Sequence, residues 1–460
     1  MIEEQTYLPV LLQSSPEYLQ GNRDELKKQI LRKHTLENVL QRSNIELAWK
    51  RVRSNKGAAG VDGMKVEDFP AFFQNYWETI ESKIREGIYR PSPVRQCRIP
   101  KGNGDYRTLG IPTVLDRVLQ QAIAQVLSPH YERQFSESSH GYRPHRSAQG
   151  AMKQLHEMAK VRGKNCTVVD CDLKQFFDTV DHQLMMQKLR ESVTDKALLG
   201  LLKHYLKAGA ITPQGEFVTS QQGVPQGGPL SPLLANILLD DLDKELEKRG
   251  HHHVRYADDF IVLCKSQRAG ERILKSISSY LSSKLRLTVN ATKSKVVKLK
   301  EANFLGFRIL RNKIRWTDKA KSNFKREIRI LTRRSRGVSI NQVYSELNNF
   351  LRGYFNYYEM GITFGEVREL DHWIRRRMRL LYWKQWKRPR TRRRNLLKLG
   401  APKDEVKKAT RSRKGLWRIC NVEVVRYAMP NAWLAEQGLI SLVDQWTQAR
   451  YGNRESTKTT

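Results

Sequence analysis

The sequence predicts an α+β fold that is followed by an all-α region. Between about residues 90 and 310, short apolar runs typical of strands alternate with longer runs of helical periodicity. From about residue 318 onward the strand patterns fade and helical patterns take over. The 460 residues correspond to two to four domains at roughly 100–200 residues each, and a hydrophobic content of 39% is enough to fold.

The elements of the α+β region follow one another in a clear order. Residues 1–55 have the pattern of an N-terminal helical extension, and the glycine-rich stretch 56–63 reads as turn structure. The segments after it are predicted as an extended segment over 90–101, a helix over 114–131, a strand over 166–172, a helix over 232–249 and two short strands over 253–265.

The helical region begins with a strongly periodic segment. Apolar residues from Ile340 to Tyr358 recur at positions i, i+3, i+4 and i+7, and Ser339 with Gln342 predicts a capping box at the start. A second helix, rich in arginine, follows over about 367–381. The stretch 384–418 then holds 15 Lys/Arg against two acids, a net charge of +13 in 35 residues.

The charge of the chain limits its partners. Lys and Arg number 83 and Asp and Glu 47, which gives +36. So large an excess favours a polyanionic partner, with nucleic acid ahead of an anionic membrane surface. No run of roughly 18 apolar residues predicts a membrane span, and the first residues lack the pattern of a secretion signal. The five scattered cysteines favour a reducing compartment and argue against a zinc site.

Clustered acids stand out against this basic background. Asp258 and Asp259 lie between two strand-like runs, at a predicted hairpin tip, while Asp170 and Asp172 share one face of a buried strand. An Asp-Asp pair between strands is by itself most often an ordinary polar turn. Carboxylates that converge from two strand ends can instead hold two Mg²⁺ ions, which suits phosphoryl transfer.

Four segments in a fixed order give a resemblance to a known family. Tyr-Ala-Asp-Asp (Tyr256–Asp259) downstream of Asp-Leu-Lys-Gln-Phe-Phe-Asp (Asp172–Asp178) resembles the palm of a reverse transcriptase. The glycine-proline segment Gln221–Asp243 and the segment Ser138–Ala148 complete the set. Together with Phe304–Leu310, Phe350–Gly361 and Leu370–Gly400, they resemble the group II intron-encoded reverse transcriptases, or maturases, over roughly residues 30–430.

The resemblance implies a right-hand polymerase. Its fingers and palm, with an antiparallel sheet, would occupy 56–312 after the extension 1–55, and a basic helical thumb or maturase domain would occupy 313–418. Residues 419–460 would be a short DNA-binding appendage with a disordered tail. Only about 40 residues follow the basic stretch, and Cys420 is the one cysteine among them, so the endonuclease domain of many relatives is not expected.

The resemblance also assigns the polymerase site. The implied ligands of two Mg²⁺ ions are Asp172, Asp258, Asp259 and the backbone carbonyl of Leu173. The residues implied to bind the dNTP are Lys101 and Arg107 at the triphosphate, Phe177 against the sugar, Gln226 in the pocket and Lys293 near the leaving pyrophosphate. From the residues alone, Phe177 could equally be a core side chain, the Lys101/Arg107 pair a solvated hairpin, and Lys293 a surface lysine.

The function implied is that of an RNA-directed DNA polymerase that assists the splicing of its intron RNA and copies it during retromobility. The residues assigned to RNA binding are Arg375, Arg376, Arg379, Lys384, Lys387, Arg388, Arg390, Arg392, Arg393 and Arg394. The implied partners are intron RNA, an RNA template with a DNA primer, target DNA and dNTPs, and no membrane is involved. The protein would act as a monomer or dimer on RNA, in the cytoplasm or in an organelle. Two alternatives stay open: a splicing chaperone with a vestigial polymerase site, and a domesticated, intron-free reverse transcriptase in defence or repair.

Overall fold

The computed structural model describes residues 34–100, 106–163 and 166–452. The predictions for Lys101, for residues 1–33 and for the last residues of the tail lie outside these ranges. The chain divides into two compact units: the first comprises the described residues up to Leu155 together with Cys166–Val297, and the second comprises residues 156–163 and those from Lys298 onward. The domain boundaries drawn from the sequence remain predictions.

The first unit mixes helices and short strands. Its helices are α1 (Leu36–Leu40), α2 (Arg42–Ser54), α3 (Phe69–Arg85), α4 (Val114–Glu132), α5 (Ala148–Arg162, which ends in the second unit), α6 (Phe176–Thr179), α7 (His182–Ser192), α8 (Lys196–Lys207), α9 (Ser231–Lys248) and α10 (Gln267–Leu285). Its strands are β1 (Val94–Pro100), β2 (Tyr106–Ile111), β3 (Thr167–Cys171), β4 (Ala210–Ile211), β5 (Phe217–Val218), β6 (His253–Tyr256), β7 (Asp259–Cys264) and β8 (Lys295–Lys298, which also ends in the second unit).

Two four-stranded sheets confirm the α+β prediction. The first has the order β2-β1-β4-β5, in which β1 pairs antiparallel with β2 and parallel with β4. The second has the order β6-β7-β3-β8, and β7 is antiparallel to both β6 and β3. The central strands β3 and β7 are almost entirely buried, which explains why both read as continuous apolar runs in the sequence.

A fully buried ion pair joins the second sheet to helix α9. Arg255, in β6, has no exposed side-chain surface, and neither does its partner Asp243 in α9. The Arg255 Nε lies 2.9 and 3.0 Å from the two Asp243 carboxylate oxygens, and its Nη2 donates to Asp243 Oδ2 at 2.5 Å. The remaining guanidinium hydrogens reach Asn236 Oδ1 at 3.0 Å, Ser139 Oγ at 2.7 Å and the Ala257 carbonyl at 3.0 Å. The charge is therefore satisfied on every side, as a buried guanidinium requires.

The second unit is helical apart from one hairpin. The hairpin consists of β9 (Phe307–Leu310) and β10 (Lys313–Trp316). The helices are α11 (Asp318–Leu331), α12 (Ile340–Tyr358), α13 (Phe364–Gln385), α14 (Pro389–Lys398), α15 (Lys403–Arg411), α16 (Leu416–Ile419), α17 (Glu423–Ala428), α18 (Asn431–Glu436) and α19 (Leu442–Tyr451). Within the described residues the last strand ends at Trp316, so the predicted change to a helical region near residue 318 is confirmed.

The N-termini of α12 and α13 are capped differently from the prediction. The Ser339 hydroxyl accepts from the Gln342 backbone N–H, but the Gln342 side chain bonds to Glu346, so the reciprocal half of the predicted capping box is wrong. A complete capping box is found at α13 instead. There the Thr363 hydroxyl accepts from the Glu366 backbone N–H, and the Glu366 carboxylate accepts from the Thr363 backbone N–H at 2.9 Å.

Asp243→Asn is expected to destabilise the chain by about 3–5 kcal/mol, because the amide leaves a buried guanidinium without its counter-charge. The loss is measured as the free energy of unfolding in urea. Asp241→Asn is the matched control on the same helix: Asp241 pairs with Lys188 at 2.8 Å, but 29% of its side chain is exposed. The control should cost less than about 1 kcal/mol, and equal losses would contradict the central role given to the buried pair.

Glu366→Gln is expected to lower the stability of the second unit by about 1–3 kcal/mol at neutral pH. Partial burial opposes ionisation of Glu366, but bonds from Lys321, Thr363 and Trp316 outweigh it and lower its pKa to about 2. Because the folded-state pKa is depressed, this stabilisation is complete above about pH 4.5 and is lost as the pH falls toward 2.

The measurement for Glu366 is denaturation followed by tryptophan fluorescence between pH 7 and pH 2, since the Trp316 indole donates to Glu366 at 3.2 Å. The difference between the wild type and Glu366→Gln should shrink across the acid range. Glu369→Gln, at an exposed position of the same helix, should stay within about 0.5 kcal/mol of the wild type. A difference that is the same at every pH would refute the assignment.

Candidate active site

A two-residue turn presents the paired aspartates. Tyr256 in β6 pairs with Asp259 in β7, which leaves Ala257 and Asp258 as the turn. Ala257 has a left-handed φ of 58°, as the first position of a two-residue hairpin turn requires. Asp258 therefore projects from the turn itself, while Asp259 is the first residue of a buried strand.

The register of the central strands brings the third aspartate to the same place. Cys171 at the end of β3 pairs with Phe260, so the same antiparallel register sets the next residue, Asp172, opposite Asp259. The carboxyl group of Asp172 lies close enough to that of Asp259 to raise the pKa of Asp259. The three acids that the sequence analysis grouped thus lie together, although 86 residues separate Asp172 from Asp258.

The pKa values of Asp258 and Asp259 are both raised. Burial raises the pKa of Asp258, and the charge of Asp172 adds to the shift. Burial, followed by the charges of Asp258 and Asp172, raises the pKa of Asp259 to about 7. Such a concentration of negative charge in a partly buried place is stabilised by a cation.

Asp172 is held by two side chains from the segment after β7 and α10. The Asn290 amide donates to Asp172 Oδ2 at 3.0 Å, and Lys293 Nζ lies 3.1 Å from the same oxygen. The Asp172 backbone N–H also donates to Ser294 Oγ at 3.1 Å. Lys293 is thus located at the acid cluster, and Asn290 is a contact that sequence reasoning missed because nothing local marks it.

The donor set of this cluster fits Mg²⁺. Carboxylate oxygens are the hard ligands that Mg²⁺ prefers. Within the described ranges, no three His, Cys, Asp or Glu side chains stand arranged to hold a metal ion. Because the Lys293 ammonium lies 3.1 Å from Asp172 Oδ2, where a cation would sit, metal binding would require Lys293 to move. Leu173, the other implied ligand, is buried and its backbone bridges to Val289.

A cleft of about 480 Å³ opens beside the acid cluster. Four of its lining residues are Arg107, Phe177, Gln226 and Asp258, so the cleft brings together three of the predicted nucleotide-binding residues and one predicted metal ligand. Phe177 is only partly buried, which favours the binding role over a purely structural one. Lys101 lies outside the described residues.

The floor of this cleft depends on two glycines next to Gln226. Gly227 has a φ of 126°, and a Cβ there would lie 2.7 Å from the Gly110 carbonyl oxygen. A Cβ on Gly228 would lie 2.3 Å from the Gln120 side-chain oxygen. The Gly110 N–H also donates to the Gln226 carbonyl at 2.7 Å. The lack of side chains at these two glycines therefore permits the close approach of this loop to Gly110 and Gln120.

Three of the residues assigned to RNA binding are engaged inside the second unit. Arg375 donates to Asp371 at 2.6 Å and to the Asn431 carbonyl at 3.2 Å, while Arg379 donates to the Met429 carbonyl at 2.8 Å. Arg375 and Arg379 are each only 6% exposed. These two predictions are therefore not supported, because the guanidinium groups hold the C-terminal helices rather than face solvent.

Arg376 is committed in a similar way. Its guanidinium lies 4.0 Å from the centre of the Trp417 ring and donates to the Trp417 carbonyl. The remaining predicted residues differ in exposure: Arg392 and Lys384 are half-buried, with Arg392 over the Trp383 ring. The fully exposed members of the set are Lys387, Arg388, Arg390, Arg393 and Arg394.

The second unit also incorporates the C-terminal segment. The Leu442 backbone N–H donates to Asp371 Oδ1 at 3.0 Å, and the Trp446 indole donates to the Ile362 carbonyl at 3.3 Å. These bonds hold α19 against the long helix α13. The DNA-binding role predicted for residues 419–460 stays a prediction. No helix within the described ranges is both long and apolar enough to span a membrane.

Comparison with known sequences gives matches that fit the acid cluster and the helical second unit. Residues 99–309 match the family described as reverse transcriptase (RNA-dependent DNA polymerase), and residues 321–400 match the group II intron maturase-specific domain. Protein YkfC of Escherichia coli is 33% identical over 304 residues, which cover 57% of this chain and 79% of that protein. The group II intron-encoded protein LtrA of Lactococcus lactis is 36% identical over 200 residues, covering 43% of this chain but only 32% of LtrA.

Solved structures with matching chains include a Cas6-RT-Cas1–Cas2 complex, at 26% identity and a TM-score of 0.34 over 53% of this chain and 42% of that one. The telomerase of Candida albicans matches at 14% identity and a TM-score of 0.39, over 66% of this chain and 63% of that one. The sequence matches, taken with the acid cluster and the helical second unit, decide the family. The chain belongs to the group II intron-encoded reverse transcriptases that carry a maturase domain.

Proposed function

We propose that the first unit polymerises DNA on an RNA template by a two-metal mechanism, and that the second unit binds the intron RNA and assists its splicing. The observation that carries the polymerase proposal is the meeting of Asp172, Asp258 and Asp259 beside a cleft that also holds Arg107. To bind a metal-bound nucleoside triphosphate, a site needs acids that hold the metal and a nearby cation that pairs with the phosphates.

The metal ligands in this proposal are Asp172, Asp258, Asp259 and the carbonyl of Leu173. When bound, two Mg²⁺ ions would lower the pKa of the primer 3′-hydroxyl and stabilise the charge on the leaving pyrophosphate. The bond formed joins the primer oxygen to the α-phosphorus of the dNTP, and the bond broken releases pyrophosphate. No side chain becomes covalently attached to the substrate.

The other residues bind and orient the substrate. Arg107, with Lys101, would neutralise the triphosphate, and Gln226 would line the nucleotide pocket. Phe177 would stand where a 2′-hydroxyl would collide with its ring, which would favour deoxynucleotides. Lys293 would leave Asp172 when the metals bind, and its ammonium could then donate a proton to the departing pyrophosphate.

The RNA-binding proposal rests on the exposed cations of the second unit. Helix α14 and the residues just before it present Lys387, Arg388, Arg390, Arg393 and Arg394 to solvent. Folded RNA is recognised largely through its phosphates and shape, which such a face can contact without reading sequence. The intron RNA, the template-primer duplex and target DNA would all be partners of this kind, and retromobility would need each of them.

Asp258→Ala is expected to reduce dNTP incorporation on a primed RNA template by at least about 10³-fold, equivalent to about 4 kcal/mol in the barrier, because it removes a metal ligand. Intron splicing, measured in parallel, should persist because it depends on RNA binding. Asp170→Ala is the matched control: Asp170 lies two residues before Asp172 on β3 and is not a proposed ligand, so most of the incorporation should remain.

The outcomes separate the candidate functions. Unchanged incorporation in Asp258→Ala would refute the proposed metal site. A wild-type chain that promotes splicing but incorporates no dNTP would favour a splicing chaperone with a vestigial polymerase site. Incorporation without any effect on splicing would instead favour an intron-free reverse transcriptase in defence or repair.

A triple change of Arg390, Arg393 and Arg394 to alanine is expected to weaken RNA binding at low salt and to flatten its salt dependence. Each lost phosphate contact should reduce the slope of log K against log salt by about 0.7–0.9. The control removes the same charge from exposed positions of α10, with Arg268, Arg272 and Lys275 changed to alanine. Equal effects in the two triple variants would show that net charge, rather than this face, governs binding.

A further inference from the structure

Tyr142 has a backbone conformation that tyrosine seldom adopts. Its φ is 61°, in the left-handed region, and it lies in the turn that follows Ser138–His140. The side chain is nevertheless 53% exposed, so it does not serve as a core residue. A strained backbone that presents an exposed aromatic ring is a feature that a fold retains mainly at functional sites.

The residue before it is locked against the catalytic turn. A Cβ on Gly141 would lie 2.2 Å from the Ala257 backbone nitrogen, so the two backbones are in direct contact. The Asn236 side-chain amide donates to the Gly141 carbonyl at 2.8 Å, and the His140 N–H donates to the Arg255 carbonyl at 2.9 Å. The position of Tyr142 is thereby tied to the turn that carries Asp258.

The residue after it is equally constrained. Arg143 is buried, with 2% of its side chain exposed, and it pairs with Glu132. Its guanidinium also donates to the Ser139 carbonyl at 2.8 Å. Two fixed neighbours therefore determine the backbone of Tyr142 from both sides, which is how a strained conformation persists.

The ring of Tyr142 faces the cleft described above. Tyr142 lines this cleft together with Phe177, Arg107 and Asp258. The Tyr142 and Phe177 rings meet edge to face, with centroids 6.5 Å apart and planes at 71°. Burial raises the pKa of the Tyr142 hydroxyl, and the nearby charge of Asp258 raises it further while Arg107 opposes the shift.

Phe177 is supported on its other side as well. Its ring meets Phe176 at a centroid distance of 5.2 Å and an angle of 71°, and Phe176 is buried in the core. Phe177 thus stands between a fixed core ring and the ring of Tyr142. Without the second ring, one side of Phe177 would face open solvent in the cleft.

We propose that Tyr142 is a positioning residue for nucleotide selection: it holds the Phe177 ring in the place where that ring excludes the 2′-hydroxyl of a ribonucleotide. The proposal rests on the function proposed above, and it adds a residue that acts through Phe177 rather than on the reacting atoms. Loss of the Tyr142 ring would let Phe177 turn away, and ribonucleotides would then be accepted more readily.

The test uses Tyr142→Gly in the full chain. Glycine suits a φ of 61° without strain, so the ring is removed while the backbone is relieved. Steady-state incorporation of a dNTP and of the matching rNTP on a primed RNA template gives the ratio of their kcat/KM values. Tyr142→Gly should lower this ratio about tenfold relative to the wild type, chiefly through KM. Tyr142→Phe should keep the wild-type ratio, since the ring rather than the hydroxyl packs on Phe177.

A double-mutant cycle decides whether Tyr142 acts through Phe177. The variant Phe177→Ala should lower the ratio by itself, and adding Tyr142→Gly to it should change the ratio less than twofold, because coupled residues are not additive. Fully additive effects would overturn the proposal, and so would an unchanged ratio in Tyr142→Gly. Tyr142→Asn, which also tolerates a left-handed backbone, repeats the test if the glycine variant is less stable.

Two controls keep this test apart from that of the polymerase site. Tyr76→Ala removes a tyrosine of similar exposure, 55%, from helix α3, and it should leave the ratio unchanged. Asp258→Ala should abolish incorporation of both nucleotides. If Asp258→Ala stays active, the proposed polymerase site fails; if it is inactive while Tyr142→Gly keeps the wild-type ratio, only the role of Tyr142 fails.

Discussion

The position of the catalytic turn depends on one buried charge pair. Arg255 precedes Tyr256 by one residue, and its guanidinium binds Asp243 in α9, Ser139 in the neighbouring segment and the Ala257 carbonyl inside the turn. Replacing such a pair by apolar residues can be neutral for stability, so its value lies in the geometry that it imposes. A guanidinium has directed donors, and here they fix a helix, a loop and a hairpin relative to one another.

Three strained backbone positions lie around the same place. Ala257, Tyr142 and Gln175 are non-glycine residues with a positive φ, and each lies in or next to a segment that forms the acid cluster or the cleft. Each such conformation costs on the order of 1 kcal/mol or more, so the surrounding contacts must impose it. The buried Arg255 and Arg143 and the close contact between Gly141 and Ala257 supply those contacts. These contacts position the residues of the site, and efficient catalysis depends on such positioning.

Much of this architecture could be predicted from the sequence because it is encoded locally. Short apolar runs on either side of a polar tip identify the hairpin around Asp258, and an apolar run identifies β3. What local patterns cannot reveal are partners that are distant in sequence, such as Asn290 for Asp172 or Asp243 for Arg255. The burial of Arg375 and Arg379 had a signal that was available: with Asp371 they are spaced four residues apart, on the stripe that also holds Ile374 and Met378. The prediction instead relied on their charge, because both arginines were counted as part of a basic patch.

The final constraint on the site is strand register. Side chains alternate between the two faces of a sheet, so a shift of one residue between β3 and β7 would move Asp259 away from Asp172 and send every side chain to the opposite face. Val168 and Val169 in β3, and Ile261 to Leu263 in β7, are fully buried, so both faces of these strands are packed. Shifting the register would disrupt this packing on both faces. The hydrophobic core thus imposes the meeting of the acids, although burial and, after it, the charges of Asp258 and Asp172 oppose ionisation of Asp259 and raise its pKa. The packing beneath the site and the contacts of Asn290 and Lys293 with Asp172 oppose the repulsion among these acids, and bound cations would relieve it.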